Sequence, residues 1–221
     1  MSEFGDDEHL NLGHYEGQRN EKHQRHGLGK SYYSNGDTYE GLYDNGRKQG
    51  KGHYRWSSSG AVYEGGYYAN RKSGQGWIVY PDGSKYEGEW ENDVRQGKGT
   101  YAYSNGDTYT GQWEMNVRHG RGVYTDKATG TTTNGVWHHG KLHGPVKILM
   151  ADHFYEGAYY NNVMKGCGRF TFPKMGVEQI GRHDLVDQER DSYNEDSFTA
   201  LLKKSVWRVL QTKAIDDSLV C

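Results

Sequence analysis

Residues 85–103 read KYEGEWENDVRQGKGTYAY, and the order of their side chains decides the fold. Tyr86, Gly88 and Trp90 alternate with Glu87, Glu89 and Glu91. That period of two puts successive side chains on opposite faces of a β-strand. Glu91 to Gln96 is polar and suits a turn. Beyond Gly97-Lys98-Gly99 a second alternating stretch, Thr100-Tyr101-Ala102-Tyr103, runs to Asn105-Gly106, a dipeptide that supplies positive φ for a tight turn. The segment reads as a β-hairpin. One hairpin is marginal in water, so it needs neighbours against which to bury its aromatic face.

The neighbours are copies. Tyr-Glu-Gly begins at Tyr15, Tyr39, Tyr63, Tyr86 and Tyr155, Tyr-Thr-Gly at Tyr109, and a degenerate Thr133-Asn134-Gly135 fills the gap. Successive starts lie 22 to 24 residues apart. Gly-X-Gly follows in phase as Gly27 and Gly29, Gly50 and Gly52, Gly74 and Gly76, Gly97 and Gly99, Gly120 and Gly122, and Gly166 and Gly168. The sixth copy keeps Gly144 but has Val146 at the second place. An aromatic stands four residues after the marker at Tyr43, Tyr67, Trp90, Trp113, Trp137 and Tyr159; the first copy has Arg19 there. Such in-phase repetition predicts an all-β chain: an elongated solenoid of about seven stacked hairpins forming a twisted sheet. The twelve Gly-X-Gly glycines are structural, leaving room for a ring of a neighbouring copy against the backbone.

Composition agrees. The chain has 221 residues and net charge −2, with 32 Gly, 19 Tyr and 6 Trp but only 3 Pro. Many aromatics and little net charge disfavour a disordered chain. No apolar run is long enough for a membrane helix. Met1 to Leu10 lacks the basic start and apolar centre of a signal peptide. Cys167 and Cys221 are the only cysteines, too few for a disulfide framework, which predicts a reducing, intracellular setting. Cys167, inside the last Gly-X-Gly, reads as a small buried residue.

The expected organisation is an acidic disordered leader (1–14), the repeat array (15–183), a polar linker (184–196), an amphipathic helix (197–212) and a tail (213–221). The helix is read from Phe198, Leu201, Leu202, Val206, Val209 and Leu210 at helical spacing, with Ser197 as N-cap. It would cover the last hairpin's edge, dock on a partner or lie on a membrane surface.

No catalytic, cofactor-binding or metal-binding residue is predicted. Glu16, Glu40, Glu64, Glu87 and Glu156 recur beside the marker, with Arg25, Lys48, Lys72, Arg95 and Arg118 two residues before Gly-X-Gly. Repetition favours cross-strand ion pairs over catalysis, which needs one special carboxylate. His138, His139 and His143 read as surface histidines, and Gly29-Lys30-Ser31 lacks the remainder of a phosphate loop.

The Tyr-Glu-Gly…Gly-X-Gly period resembles the MORN repeat family from about Tyr15 to Arg182. That resemblance implies hairpin arrays that scaffold, dimerise or tether. The degenerate junction Thr131 to Pro145 and the Gly176 to Gly181 stretch after Phe172-Pro173 are similar to those of the family's radial-spoke-head members. This implies a non-enzymatic scaffold of the cytoskeleton, in the axoneme of motile cilia and sperm flagella. Its partners would be other spoke-head and axonemal proteins, with a homodimer and anionic lipid left open. The alternatives are a membrane or phosphoinositide tether and a motor-cargo adaptor. Nucleic acid is not expected, since no domain-wide basic excess exists. The candidate partner contacts are Tyr43, Tyr67, Trp90, Trp113, Trp137 and Tyr159, with Phe198, Leu202 and Val206 on the helix. The other reading of the aromatics is packing between copies.

Overall fold

The computed structural model describes residues 13–187 and 203–215, which form an all-β chain. The chain divides into two compact units, the first running to Gly106 and taking in Gln112–Asn116, the second formed by Asp107–Gly111 and the residues from Val117. In the first unit, β1 (His14–Arg19), β2 (Arg25–Tyr32), β3 (Thr38–Asp44), β4 (Arg47–Arg55), β5 (Val62–Tyr68), β6 (Arg71–Val79), β7 (Lys85–Glu91) and β8 (Val94–Ala102) pair antiparallel in chain order. β9 (Thr108–Glu114) gives residues to both units. In the second, β10 (Val117–Thr125), β11 (Thr132–His138), β12 (Lys141–Leu149) and β13 (Phe154–Tyr160) pair likewise. There β13 also pairs with β14 (Val163–Met164) and β15 (Gly166–Phe172), and the sheet continues through β16 (Val177–Asp187) to β17 (Lys203–Ala214).

Two kinds of turn alternate. Asn105-Gly106 and its equivalents belong to longer loops with a single left-handed glycine, such as Gly36 at φ 84°. The two-residue turns lie at the other end, in the polar stretch, where both residues have positive φ: Asn92 and Asp93 at 49° and 70°, Met115 and Asn116 at 47° and 68°. This geometry suits asparagine, aspartate and glycine. The second residue of such a turn also binds the preceding hairpin. Asn70, Asp93, Asn116 and Asn162 each accept, through the side chain, the backbone N–H of Lys48, Lys72, Arg95 or Leu142 at 2.7–2.9 Å. Their own N–H groups donate back to the carbonyls of those residues. Each turn therefore clamps one hairpin onto another.

Gly-X-Gly makes a bulge. Gly88 pairs with Gly99 and Trp90 with Arg95, so one residue on β7 faces three on β8, and Gly97 takes φ 69° to absorb the excess.

Over its described part, the C-terminal helix expected at 197–212 is replaced by a strand. Residues 203–214 form β17, paired with β16 from Val177↔Ala214 to Asp187↔Lys203. Val206, Trp207, Val209 and Thr212 are strand formers, and the unpaired backbone of β16 offers a row of hydrogen bonds that an isolated helix cannot match. The segment does cover an edge, as a strand. The linker is shorter at its start than expected, since 184–187 belong to β16, and Lys213 and Ala214 of the expected tail belong to β17. Residues 1–12 of the leader, 188–196 of the linker, 197–202 of the helix and 216–221 of the tail lie outside the described residues.

Candidate functional site

One face of each unit carries an aromatic row. Tyr86 is fully buried, its ring lying over Gly88 and Gly99, where a Cβ would stand 2.7 and 2.4 Å from its hydroxyl oxygen. The hydroxyl donates to the Glu89 carbonyl at the bulge, 3.0 Å away, as Tyr39 does to Leu42 and Tyr63 to Gly66.

The source of the ring corrects the expectation for the glycines. Gly122 is buried, and the ring against it is that of Tyr109, from its own copy rather than a neighbouring one. A Cβ on Gly122 would stand 2.5 Å from the Tyr109 Cε2 and 2.6 Å from its Cζ. Gly29, Gly52, Gly76 and Gly168 meet Tyr15, Tyr39, Tyr63 and Tyr155 in the same way. The reason is the hairpin itself: the marker tyrosine and the second glycine sit on paired strands, two residues out of register, so the ring leans along its own hairpin. What a neighbouring copy adds is an indole N–H: Trp90 donates to Gly76 and Trp113 to Gly99, both at 3.1 Å.

These rings meet edge-to-face in sequence. Tyr39 lies between Tyr43 and Tyr67, Tyr63 between Tyr67 and Trp90, and Tyr86 between Trp90 and Trp113, at centroid separations of 5.1–5.4 Å. Tyr109 and Trp137 repeat the contact in the second unit. Cations cover the row. The Lys48 ammonium sits within 6 Å of Tyr33, Tyr39, Tyr54 and Tyr67, Arg95 lies over Trp113 at 4.6 Å, and Arg118 lies over Trp137 at 4.1 Å. Burial, and then the nearby Lys72 charge, bring Lys48 down to about 8. Burial pushes the hydroxyls of Tyr39, Tyr63, Tyr67 and Tyr86 well above the ordinary tyrosine range. Asp37 is buried beside this row. Burial alone would raise its carboxyl, but hydrogen bonds from the Ser57 N–H, the Tyr54 hydroxyl and the Asn35 amide hold it below the usual carboxylate range.

The row corrects the expected partner contacts. Tyr43, Tyr67, Trp90, Trp113 and Trp137 are only 4–6 % exposed, so they are core, filling the space between copies. Tyr159 is half-buried. Val206 lies on β17, while Phe198 and Leu202 lie outside the described residues.

The opposite face is the exposed one. In the first unit, register pairs build a ladder across strands: Lys30, Glu40, His53, Glu64, Trp77, Glu87 and Thr100. The repeated glutamates stand here, on the reverse side from Lys48, Lys72 and Arg95, so the expected ion pairs between the two series do not form among the described residues. Glu40 pairs with Lys30 at 3.1 Å and Lys72 with Asp93 at 3.2 Å. Trp77 is 37 % exposed, and Leu28 opposes Leu42 on the same face. A groove of about 940 Å³ runs along this side, with Glu40, Lys51, His53, Glu64, Trp77 and Glu87 on its walls.

In the second unit the same ladder reads Lys147, Glu156, Arg169. Glu156 accepts from Arg169 at 2.6 Å and Lys147 at 3.0 Å, and these two bonds, the arginine's foremost, hold its carboxyl below the usual range. His138, His139 and His143 gather with His119, ring centroids 4.3–5.9 Å apart, but no group of three or more His, Cys, Asp or Glu among the described residues is arranged to hold a metal ion. Cys167 is exposed rather than buried, because its side chain points away from the aromatic row that its flanking Gly168 abuts.

A MORN repeat model matches residues 21–38, 39–61, 63–85, 86–108, 109–128, 134–145 and 155–174. The chain is 51 % identical over 215 residues to the radial spoke head 1 homolog of Mus musculus, covering 95 % of this chain and 71 % of that protein. It is 51 % identical over 49 residues to the radial spoke head 1 homolog of Cyprinus carpio, 20 % of this chain and 22 % of that one. A looser likeness, at TM-score 0.38 and 12 % identity over 71 % of this chain and 74 % of the other, is to the TCP10 domain of Danio rerio CPAP in complex with a peptide of Danio rerio STIL. The repeated hairpins, the matched repeat models and this identity along nearly the whole chain show that the protein belongs to the MORN repeat family and is a relative of the radial spoke head 1 homologs.

Proposed function

We propose that this chain is a non-enzymatic structural component of the radial spoke head, in the axoneme of motile cilia and flagella, where it holds other spoke-head proteins in place. The observation that carries this reading is the 51 % identity to the mouse radial spoke head 1 homolog over 95 % of the chain. The geometry supports a scaffold. The same glycine, tyrosine and turn contacts recur along both units, and the outer face leaves its side chains exposed. Partners would meet that face, since the aromatic row is occupied with packing. In the first unit its glutamates favour protein over anionic lipid.

A tagged chain expressed in cells that build motile cilia tests the proposal. The expected result is signal along the axoneme and co-purification with spoke-head proteins. A diffuse cytoplasmic or plasma-membrane signal, with no spoke-head protein recovered, would overturn it.

A further inference from the structure

The outer ladders of the two units differ in what flanks the repeated glutamate. Glu156 in the second unit is held by two cations of its own chain, Lys147 and Arg169, on the strands to either side. The equivalent Glu64 is flanked by His53 and Trp77, and Glu87 by Trp77 and Thr100. Neither Glu64 nor Glu87 makes an ion pair among the described residues, and both are exposed. The carboxylate that binds a guanidinium and an ammonium in one unit thus faces solvent beside a tryptophan in the other. A carboxylate next to an exposed indole is the combination that attracts an arginine or lysine side chain, through charge and through the ring face.

We propose that the outer groove of the first unit binds an extended, cationic segment of another protein, with arginine or lysine at every third residue. The spacing follows from the sheet. Glu40, Glu64 and Glu87 lie on β3, β5 and β7, alternate strands, and therefore roughly 10 Å apart. A polyproline II segment has three residues per turn and a rise of about 3.1 Å, so every third side chain points the same way at intervals of roughly 9 Å. Basic residues in that register would each meet a carboxylate, one of them stacking on Trp77. Glu40 already shares its charge with Lys30, so the two strong positions are Glu64 and Glu87. Such a segment would belong to one of the proteins held by the scaffold proposed above, on which this reading rests.

The test is fluorescence anisotropy of the whole chain with a labelled peptide of repeating Arg-Pro-Pro, beside an isomer of the same composition whose arginines are adjacent. Tighter binding of the first is expected, weakening with salt. Glu64→Gln, Glu87→Gln and Trp77→Ala should each weaken it by about 3- to 10-fold, while Glu156→Gln leaves it unchanged. Equal binding of the two isomers by the unaltered protein, or no binding at low ionic strength, would overturn the proposal without recourse to any variant. So would self-association abolished by Glu64→Gln and Glu87→Gln, which would give the face to a second copy. Loss of peptide binding with axonemal localisation intact would remove this inference and leave the scaffold role standing.

Discussion

Gly88→Ala is expected to destabilise the protein by about 3–5 kcal/mol, among the largest effects of any single methyl group added to the chain. Its Cβ would stand 2.4 Å from the Gly99 Cα, 2.5 Å from the Lys98 carbonyl oxygen and 2.7 Å from the Tyr86 hydroxyl oxygen. Two of those atoms are backbone and cannot swing aside. The ladder between β7 and β8 must open, or the Tyr86 ring must leave its place between Trp90 and Trp113. Leaving breaks two edge-to-face contacts and strands the hydroxyl that bonds the Glu89 carbonyl. Gly83→Ala separates crowding from backbone strain, because Gly83 has φ 82° with nothing within 4 Å of its would-be Cβ. That variant should lose only about 1–2 kcal/mol. Urea melts of the two variants supply the comparison; equal losses would show that ring-on-glycine packing is not what the motif preserves.

Alkaline unfolding should be steep. Burial raises the hydroxyls of Tyr39, Tyr63, Tyr67 and Tyr86, so the folded chain keeps four protons that the unfolded chain releases above its ordinary tyrosine value. Their contribution is fully present below about pH 10 and is lost as pH rises beyond it, at about 1.4 kcal/mol per group per pH unit. By pH 11 four such groups remove about 5–6 kcal/mol, comparable with the whole stability of an ordinary domain. Lys48 acts in the opposite sense. Its value of about 8 lies below that of a free lysine, so between pH 8 and the ordinary lysine range the unfolded chain holds the extra proton and stability rises with pH. A shallow maximum near pH 10 followed by collapse is the expected profile. Absorbance of tyrosinate measured alongside circular dichroism would show the two signals changing together; free titration of these tyrosines in a chain that stays folded would contradict the burial of the row.

Much of this was legible in the sequence because repetition removes noise. Alternation around Tyr86 and Trp90 pointed to strands, and the phase of Gly-X-Gly pointed to stacked hairpins. The same alternation carries a further signal. The residue after each second glycine, Lys30, His53, Trp77 or Arg169, shares the phase of the repeated glutamate and so shares its face. Reading that column would have placed Trp77 outside and Trp90 inside, and would have kept Glu64 apart from Lys72. The bulge at Gly97 concealed this, since extra residues on one strand break simple counting between glutamate and cation. The C-terminal segment misled for another reason. Val206 and Leu210 fit helical spacing, whereas Trp207 and Val209 fit alternation, and only the presence of β16 as a partner decides between the two. The clamps from Asn116 and its equivalents connect residues about twenty positions apart, a relation that local turn preferences do not contain.

The inner aromatics build the protein, and the proposal gives the outer face to partners. Comparing Trp90→Ala with Trp77→Ala tests it most directly, by thermal melting and by recovery of spoke-head proteins from ciliated cells. Trp90→Ala should lose about 3–5 kcal/mol and melt roughly 10 °C lower. Trp77→Ala should melt like the unaltered chain yet recover less of its partners. A Trp90→Ala protein that melts normally but fails to recover partners, beside a Trp77→Ala protein that does neither, would contradict the account.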